Sequence, residues 1–233
     1  GEGEVVVVSG DYKRAPDPTC APFEVVPCDT FVTEATFALP IYRWDAPEVV
    51  AREILDWWDA GVRARRPSVL FCYSLGKAQR ILAELARLCD RRVLLHGAMA
   101  ALTDIYRQAG VALLPTELVS DSARGRSFAG ELILAPPVAV ATPWMRRFSD
   151  AETAFASGWM RIRGTRRRRG VDRGFVLSDH ADWPALLDTV AKTGARQVLV
   201  THGYKEVLAR VLRESGYEAA PLATAYEGEM DIA

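Results

Sequence analysis

Two histidines and two carboxylates occupy the same kind of position in this sequence, directly after an apolar run. Asp11 and Glu34 follow such runs near the start of the chain, and His180 and His202 follow similar runs in its later part. Imidazole titrates near neutral pH, and both kinds of side chain bind divalent metal ions. The set therefore suits metal-assisted hydrolysis in which a histidine serves as proton donor.

Short apolar runs that alternate with helical patterns must position these side chains. Runs typical of strands occur at 5–8, 28–36, 68–73, 93–96, 132–135, 138–142, 153–158, 174–178 and 197–201, and helical periodicity occurs at 45–61, 77–88, 99–108, 183–192 and 205–215. We expect Asp182 to cap the helix at 183–192 and Gly194 to end it, and we expect Gly61 and Gly216 to end two other helices. This alternation predicts an α/β fold with parallel strands, whose ends converge at one edge of a sheet.

Composition narrows the class of protein. The 233 residues are 49% hydrophobic and 25% charged, which is enough for one large domain or two small ones. The net charge of -1 says nothing about nucleic acid. Cys20, Cys28, Cys72 and Cys89 form no C-x-x-C pair, which favours reduced thiols over disulfides or a zinc knuckle. Without a signal peptide or an apolar run of ~20 residues, we expect a cytoplasmic protein and no membrane partner.

The simplest partition is an outer domain interrupted by an inserted one. Residues 1–41 and 172–233 would form the outer domain, and residues 42–171 the inserted domain. The chain starts without methionine and enters an apolar strand almost at once. We therefore expect that residues encoded upstream are missing from this sequence.

The loop at 74–79 could bind phosphate, because Ser74, Gly76 and Lys77 stand between a strand and a helix. It is not a Walker A loop, since Phe71 stands where that motif needs glycine and Ala78 replaces its Ser/Thr. Contact with a nucleic-acid backbone and binding of a nucleotide by an α/β enzyme both stay open.

An arginine-rich segment runs into the strand before His180. The segment could be a solvated loop, or it could contact successive phosphates of a nucleic acid with an affinity that falls as salt rises. We expect nucleic-acid contact. The candidate residues are Arg161, Arg163, Arg166, Arg167, Arg168 and Arg169.

Several segments resemble a known family in order and spacing. Residues 9–12, 28–37, 178–182 and 201–203 resemble metallo-β-lactamase-fold nucleases that carry a β-CASP domain. Within that group, residues 16–23, 39–44 and 163–180 resemble the bacterial ligase-associated DNA exonucleases, also described as mRNA 3′-end processing factors. The resemblance covers essentially the whole chain. It implies a partial metallo-β-lactamase αββα fold with a β-CASP α/β domain at 42–171.

The resemblance also implies a role for each strand-end residue. Asp11 would bridge two zinc (or manganese) ions, and His202 would be a terminal ligand of one of them. His180 would protonate the leaving oxygen, while Glu34 fixes its tautomer and orientation. The sequence lacks the H-x-H-x-D-H motif that supplies the other ligands, and His96 in the inserted domain cannot replace them. We therefore expect this chain alone to bind metal poorly.

The function implied is metal-dependent hydrolysis of nucleic-acid phosphodiesters. The resemblance points to a DNA exonuclease in repair, with an ATP-dependent DNA ligase or a helicase as functional neighbour and DNA preferred to RNA. The chain would be the C-terminal portion of that nuclease and inactive alone. Two alternatives stay open: a non-catalytic nucleic-acid-binding subunit, and an RNA 3′-end processing nuclease.

Overall fold

A computed structural model describes residues 3–122 and 125–223. The strands in these ranges are β1 (Val6–Val8), β2 (Thr30–Glu34), β3 (Ser68–Phe71), β4 (Val93–Leu95), β5 (Thr116–Leu118), β6 (Leu132–Ala135), β7 (Glu152–Ala156), β8 (Arg173–Phe175), β9 (Gln197–Thr201) and β10 (Glu218–Pro221). The helices are α1 (Pro47–Ala64), α2 (Lys77–Ala86), α3 (Ala100–Gln108), α4 (Arg163–Arg168), α5 (Trp183–Thr193) and α6 (Lys205–Glu214). The predicted α/β class is confirmed.

The described residues form two compact units. The first comprises residues 3–15, 22–44 and 179–223, and the second comprises 16–21, 45–122 and 125–178.

In the first unit, the described residues form a parallel sheet in the order β1-β2-β9-β10. The central strand β2 is buried along its whole length. Phe31 and Val198 of this sheet share one core with Leu186 of α5 and Leu208 of α6. Parallel strands need crossover connections, and α5 and α6 serve that purpose before β9 and β10. All the strands of this sheet therefore end at the same edge.

In the second unit, the described strands form a larger parallel sheet in the order β5-β4-β6-β3-β7-β8. Successive side chains of a strand point to opposite faces, and both faces of this sheet are buried. On β3, Leu70 belongs to a core that includes Trp57 of α1 and Leu82 of α2. Its neighbour Phe71 belongs to a second core with Phe148. Burial on both faces explains why these strands read as continuous apolar runs.

Two predictions of secondary structure are wrong: the end of a helix at Gly61 and the strand at 138–142. The helix α1 continues past Gly61 and ends before Arg65, which adopts a left-handed φ of 54°. Gly61 is needed for packing instead, because a Cβ there would lie 2.4 Å from Ser68 Oγ. The run 138–142 forms no strand, since 3₁₀ turns begin at Pro137 and Pro143, which lack the N–H group of a strand ladder.

The boundaries of the units differ from the predicted domain boundaries at 41/42 and 171/172. The units divide at 44/45 and at 178/179. The second boundary moves because β8 pairs in parallel with β7 and extends the larger sheet. Residues 16–21 join the second unit, where Asp17 lies 3.6 Å from Arg80. The assignment of metallo-β-lactamase and β-CASP domains stays a prediction.

The structure also bears on the predicted thiols and on membrane-spanning helices. Cys20, Cys28, Cys72 and Cys89 are free thiols, as their spacing predicts. Within residues 3–122 and 125–223, no helix combines the length and the apolar character required to cross a bilayer.

Candidate functional site

Three strands of the first unit end at one edge of its sheet and bring functional side chains there. Ser9 N donates to Val32 O at 3.0 Å, and Gly10 then turns the chain with φ +57° toward Asp11. Glu34 is the last residue of β2 and lies opposite Thr201 of β9, so His202 follows directly at that edge. The parallel register thus accounts for the convergence that the sequence predicts.

Glu34 and His180 form a hydrogen-bonded pair. His180 Nδ1 lies 2.9 Å from Glu34 Oε2, and Tyr12 N donates to Glu34 Oε1 at 3.0 Å. Glu34 is only 2% exposed. An ionised carboxylate can only accept, so Nδ1 is the donor and the tautomer of the neutral imidazole is set. The predicted pairing of these two residues is present, and their catalytic roles stay predictions.

The main chain around His180 is held by residues that sequence reasoning did not single out. Trp44 Nε1 donates to His180 O at 2.9 Å, and Trp44 N donates to Asp182 Oδ2 at 3.0 Å. The other oxygen of Asp182 accepts from Ala185 N at 3.0 Å and caps α5, as predicted. Because Trp44 binds the main chain at two points, it fixes the segment that carries the imidazole.

Aromatic rings line one side of the imidazole. Phe37 meets the His180 ring at 5.6 Å between centroids, and it also contacts Tyr42 at 4.8 Å and Trp44 at 4.9 Å. Tyr42 is fully buried. Burial first, and then the nearby phenol of Tyr204, raises the pKa of Tyr42 well above its usual value, so this phenol stays neutral. A wall of low polarity strengthens electrostatic interactions at its surface.

Asp11 joins Glu34 and His180 in one group of donor atoms. Within the described residues, these three side chains place one potential ligand atom each within 4.8 Å of one another, and His202 does not belong to this group. Carboxylate oxygen and imidazole nitrogen suit zinc or manganese. Glu34 already holds Tyr12 N and His180, which leaves Asp11 as the exposed carboxylate. The predicted metal ligation by Asp11 and His202 stays a prediction.

His202 lies in a strained turn. Its φ is +59°, a left-handed conformation that costs a non-glycine residue about 1–2 kcal/mol. Gly203 follows at φ +65°, and a Cβ there would lie 2.4 Å from Ala35 O. Tyr204 N donates to the same carbonyl at 2.8 Å. The close approach of this turn to Ala35 fixes the direction of the chain at His202.

In the second unit, the predicted phosphate loop has structural contacts. Gly76 is the N-cap residue that precedes α2 and has φ 76°, and Ser74 O accepts from Gln79 Nε2 at 3.0 Å. Lys77 is 3% exposed, and its Nζ donates to Leu177 O at 3.1 Å. This burial competes with phosphate binding by Lys77, so Ser74 and Gly76 offer the more accessible part of the loop.

Arg80, three residues after Lys77, was missed by sequence reasoning. It is buried, and its NH1 donates to Ser178 O at 2.6 Å, while Nε lies 3.6 Å from Asp17 Oδ2. The signal available in the sequence was an arginine inside an apolar helical pattern, because an arginine buried in such a pattern needs a partner. Lys77 and Arg80 thus bind the carbonyls of Leu177 and Ser178, the last two residues of the second unit.

The arginine-rich segment is helical rather than a loop. Its residues 163–168 form α4, Arg169 caps the carboxyl end of this helix, and the chain then turns at Gly170 with φ +63°. Arg161 lies 3.6 Å from Asp45, and the Arg169 guanidinium lies 4.8 Å from the Phe155 ring centroid. The exposed members of the predicted set are Arg161, Arg163, Arg167 and Arg168, whereas Arg166 and Arg169 are half-buried.

Neighbouring residues hold the ring of His96 in place. Its Nδ1 accepts from Ala98 N at 3.1 Å, and its ring lies 4.8 Å from that of Trp144. Burial, with the charge of Arg147 as a second cause, lowers the pKa of His96 below its usual value of 6.5. A neutral imidazole that accepts a hydrogen bond is consistent with this arrangement.

Comparison with known proteins gives one informative likeness. No family model matches the chain. Over 232 residues it is 31% identical to a protein named "Probable DNA ligase" from Opitutus terrae. The match covers 100% of this chain but only 22% of that protein, so the chain spans about a fifth of the relative's length.

Proposed function

We propose that this chain contributes to a metal-dependent phosphodiesterase site that acts on nucleic acid, with His180 as general acid. The observation that carries the proposal is the group formed by Asp11 and Glu34, at the ends of β1 and β2, with His180 from the segment before α5. The family resemblance of the same segments supports this reading. The reaction would be hydrolysis of a phosphodiester in a metallo-β-lactamase-type nuclease.

In this proposal, Glu34 positions the imidazole ring of His180, and His180 transfers the proton. The carboxylate holds Nδ1 at 2.9 Å, so Nε2 is the nitrogen that would deliver a proton to the leaving oxygen. Glu34 accepts from Tyr12 N with its other oxygen and is buried, which makes it a positioning residue. The Trp44 contact with the His180 carbonyl keeps the ring at a fixed place.

Asp11 and His202 would hold the metal, which fits their donor chemistry. Bound zinc or manganese would supply hydroxide and stabilise charge on the attacked phosphate. A catalytic zinc takes about three protein ligands, which is more than Asp11 and His202 offer to two ions. Further ligands are therefore required, and this chain alone should bind metal weakly.

DNA is the proposed substrate, in preference to RNA. The support is the likeness to the protein named "Probable DNA ligase", which matches this chain along its whole length. An exonuclease that prepares DNA ends would work beside an ATP-dependent ligase or a helicase in repair. RNA 3′-end processing is the corresponding alternative for the same site.

A non-catalytic nucleic-acid-binding subunit is the second candidate. The exposed arginines of α4 favour it, because Arg163, Arg167 and Arg168 lie on one short helix, and none forms an ion pair with the part of the chain that the structure describes. Such a subunit would bind phosphates with an affinity that falls steeply as salt rises.

The test is cleavage of end-labelled DNA and RNA by the natural gene product that contains these residues, with Mn²⁺ or Zn²⁺ and with a chelator. We expect DNA shortening that needs metal and that Asp11→Asn abolishes. Asp104→Asn is the matched control, since Asp104 is an exposed carboxylate on α3 that pairs only with Arg107 among the described residues. Salt-dependent binding without cleavage would favour the non-catalytic subunit instead.

A further inference from the structure

An arginine-lined cleft of about 500 Å³ lies in the second unit at the amino ends of β3 and β7. Its lining includes Arg65, Arg66, Arg126, Arg147 and Asp150. Pro67 also lines it and directly precedes β3, and Asp150 lies two residues before β7. The phosphate loop follows β3, at the opposite end of that strand, so the cleft is a separate feature.

The arginines of the cleft differ in how far their charge is already neutralised. Arg126 binds Glu117 at 2.6 Å and Glu131 at 2.9 Å. Arg65 and Arg147 are exposed and form no ion pair with any residue that the structure describes. Arg66 donates from Nε to the neutral carbonyl of Asp150 at 2.7 Å, which orients its guanidinium without cancelling the charge.

Three cationic groups therefore face a single lining carboxylate, that of Asp150. The carboxyl end of α1 also points here, and its dipole contributes roughly half a negative charge. That contribution is small beside three guanidinium groups, and Arg65 N and Arg66 N already cap the carbonyls of Val62 and Gly61. Outside the lining, the carboxylate of Asp172 interacts electrostatically with Arg66, and the cleft keeps an excess of positive charge at Arg65 and Arg147.

The backbone of the cleft is strained at two of its lining residues. Arg65 has φ 54° and Asp150 has φ 57°. Among the described residues, the other non-glycine positions with positive φ are Ala141 and His202. A left-handed non-glycine residue costs of order 1–3 kcal/mol, and such strain concentrates at binding sites. Two of the four described non-glycine residues with positive φ thus line this cleft.

We infer that this cleft binds phosphate groups carrying at least two neighbouring negative charges. Guanidinium groups bind phosphate oxygens in bidentate fashion, and several arginines around one cleft favour an oligoanion over a single charge. Two sources share this chemistry: a small oligophosphate and the backbone of a nucleic acid. The inference goes beyond the proposed hydrolytic site, which uses none of these residues.

The first experiment measures binding of inorganic tripolyphosphate to the whole chain by isothermal titration calorimetry. The variant is Arg65→Gln with Arg147→Gln, and we expect its Kd to rise by about tenfold or more, since the variant loses two charge-assisted contacts with phosphate. The matched control is Arg52→Gln with Arg63→Gln, which removes two exposed arginines of α1 outside the cleft and should leave Kd nearly unchanged.

A competition experiment then distinguishes the sources. Displacement of tripolyphosphate by a single-stranded oligonucleotide would identify nucleic-acid backbone as a ligand of the cleft, and failure to displace it would identify a small oligophosphate. The inference is overturned if tripolyphosphate does not bind, or if both double variants bind it equally. Circular dichroism of both variants checks that each is folded.

Discussion

Glu34 Oε2 and His180 Nδ1 lie 2.9 Å apart although 146 residues separate them in sequence. The contact joins the end of β2 to the segment before α5. Glu34 is buried and bound by Tyr12 N, so it holds the imidazole from a fixed position. A histidine that is oriented by a buried carboxylate is the common arrangement for proton transfer in hydrolases.

Replacement of Glu34 by glutamine should lower activity while the fold persists. The amide can still accept from Tyr12 N, but an NH₂ group facing Nδ1 favours the other tautomer of His180. We expect kcat to fall by about 10- to 100-fold, the usual effect of losing a partner that orients a functional histidine. The ¹⁵N chemical shifts of His180 should report the tautomer change.

Glu84→Gln is a matched control for this variant. Glu84 is also buried, but it lies on α2, where its carboxylate is 3.5 Å from Arg87. Unchanged His180 shifts in Glu34→Gln would contradict the proposed role of Glu34, and so would an equal loss of activity in Glu84→Gln.

Substitution of His202 by glycine should separate stability from function. Its φ of +59° is unfavourable for any side chain, so His202→Gly should stabilise the fold by about 1 kcal/mol. If His202 is a metal ligand, the same change should abolish metal-dependent hydrolysis. Ala141→Gly relieves a φ of 57° in the second unit and should stabilise without loss of activity. Thermal unfolding and cleavage rates measure both effects, and retention of full activity by His202→Gly would exclude the ligand role.

Gly203 should tolerate no side chain. A Cβ there would lie 2.4 Å from Ala35 O and 2.6 Å from Thr36 Cα, both backbone atoms of the chain after β2. We expect Gly203→Ala to destabilise by about 3 kcal/mol or more, from the left-handed φ and from steric overlap together. Gly194→Ala has a similar φ of +67° and no close neighbour, so it should cost only about 1 kcal/mol in chemical denaturation. Equal losses would show that the contact with Ala35 does not matter.

His96 should make stability depend on pH. Burial and Arg147 lower its pKa from 6.5, so the folded chain favours the neutral ring more than the unfolded chain does. This contribution to the free energy of unfolding is present above pH 6.5 and is lost as pH falls below it. Arg147→Gln removes the second cause and should raise the pKa of His96 in an NMR titration, while Arg52→Gln should not. A pKa that falls in Arg147→Gln would contradict this account.

Much of the strand-end edge follows from local sequence signals. The strand Gln197–Thr201 is predicted residue for residue, and α5 begins at the Asp182 cap and ends before Gly194 as expected. These signals are local, because apolar runs, an N-cap and a left-handed glycine act within a few residues. Parallel pairing then brings Asp11, Glu34 and His202 to one edge.

What the sequence did not predict depends on contacts between distant segments. Gly61 resembles a helix stop, but it lies inside α1, where the absence of a side chain leaves room for Ser68 of β3. The strand before His180 was assigned to the outer domain, yet β8 pairs with β7. Trp44 and Arg80 hold carbonyls at 180 and 178, and no local pattern specifies a partner so far along the chain.

The most direct test of the hydrolytic proposal compares His180→Asn with His96→Asn in the natural gene product that contains this chain. Both changes replace a histidine by a smaller polar residue, and asparagine at 96 can still accept from Ala98 N. We predict that His180→Asn lowers the rate of metal-dependent cleavage of end-labelled DNA by about 10²-fold or more, as expected for loss of a general acid. His96→Asn should cleave at nearly the original rate. Equal rates in the two variants, or no metal-dependent cleavage in the unmodified protein, would contradict the proposal.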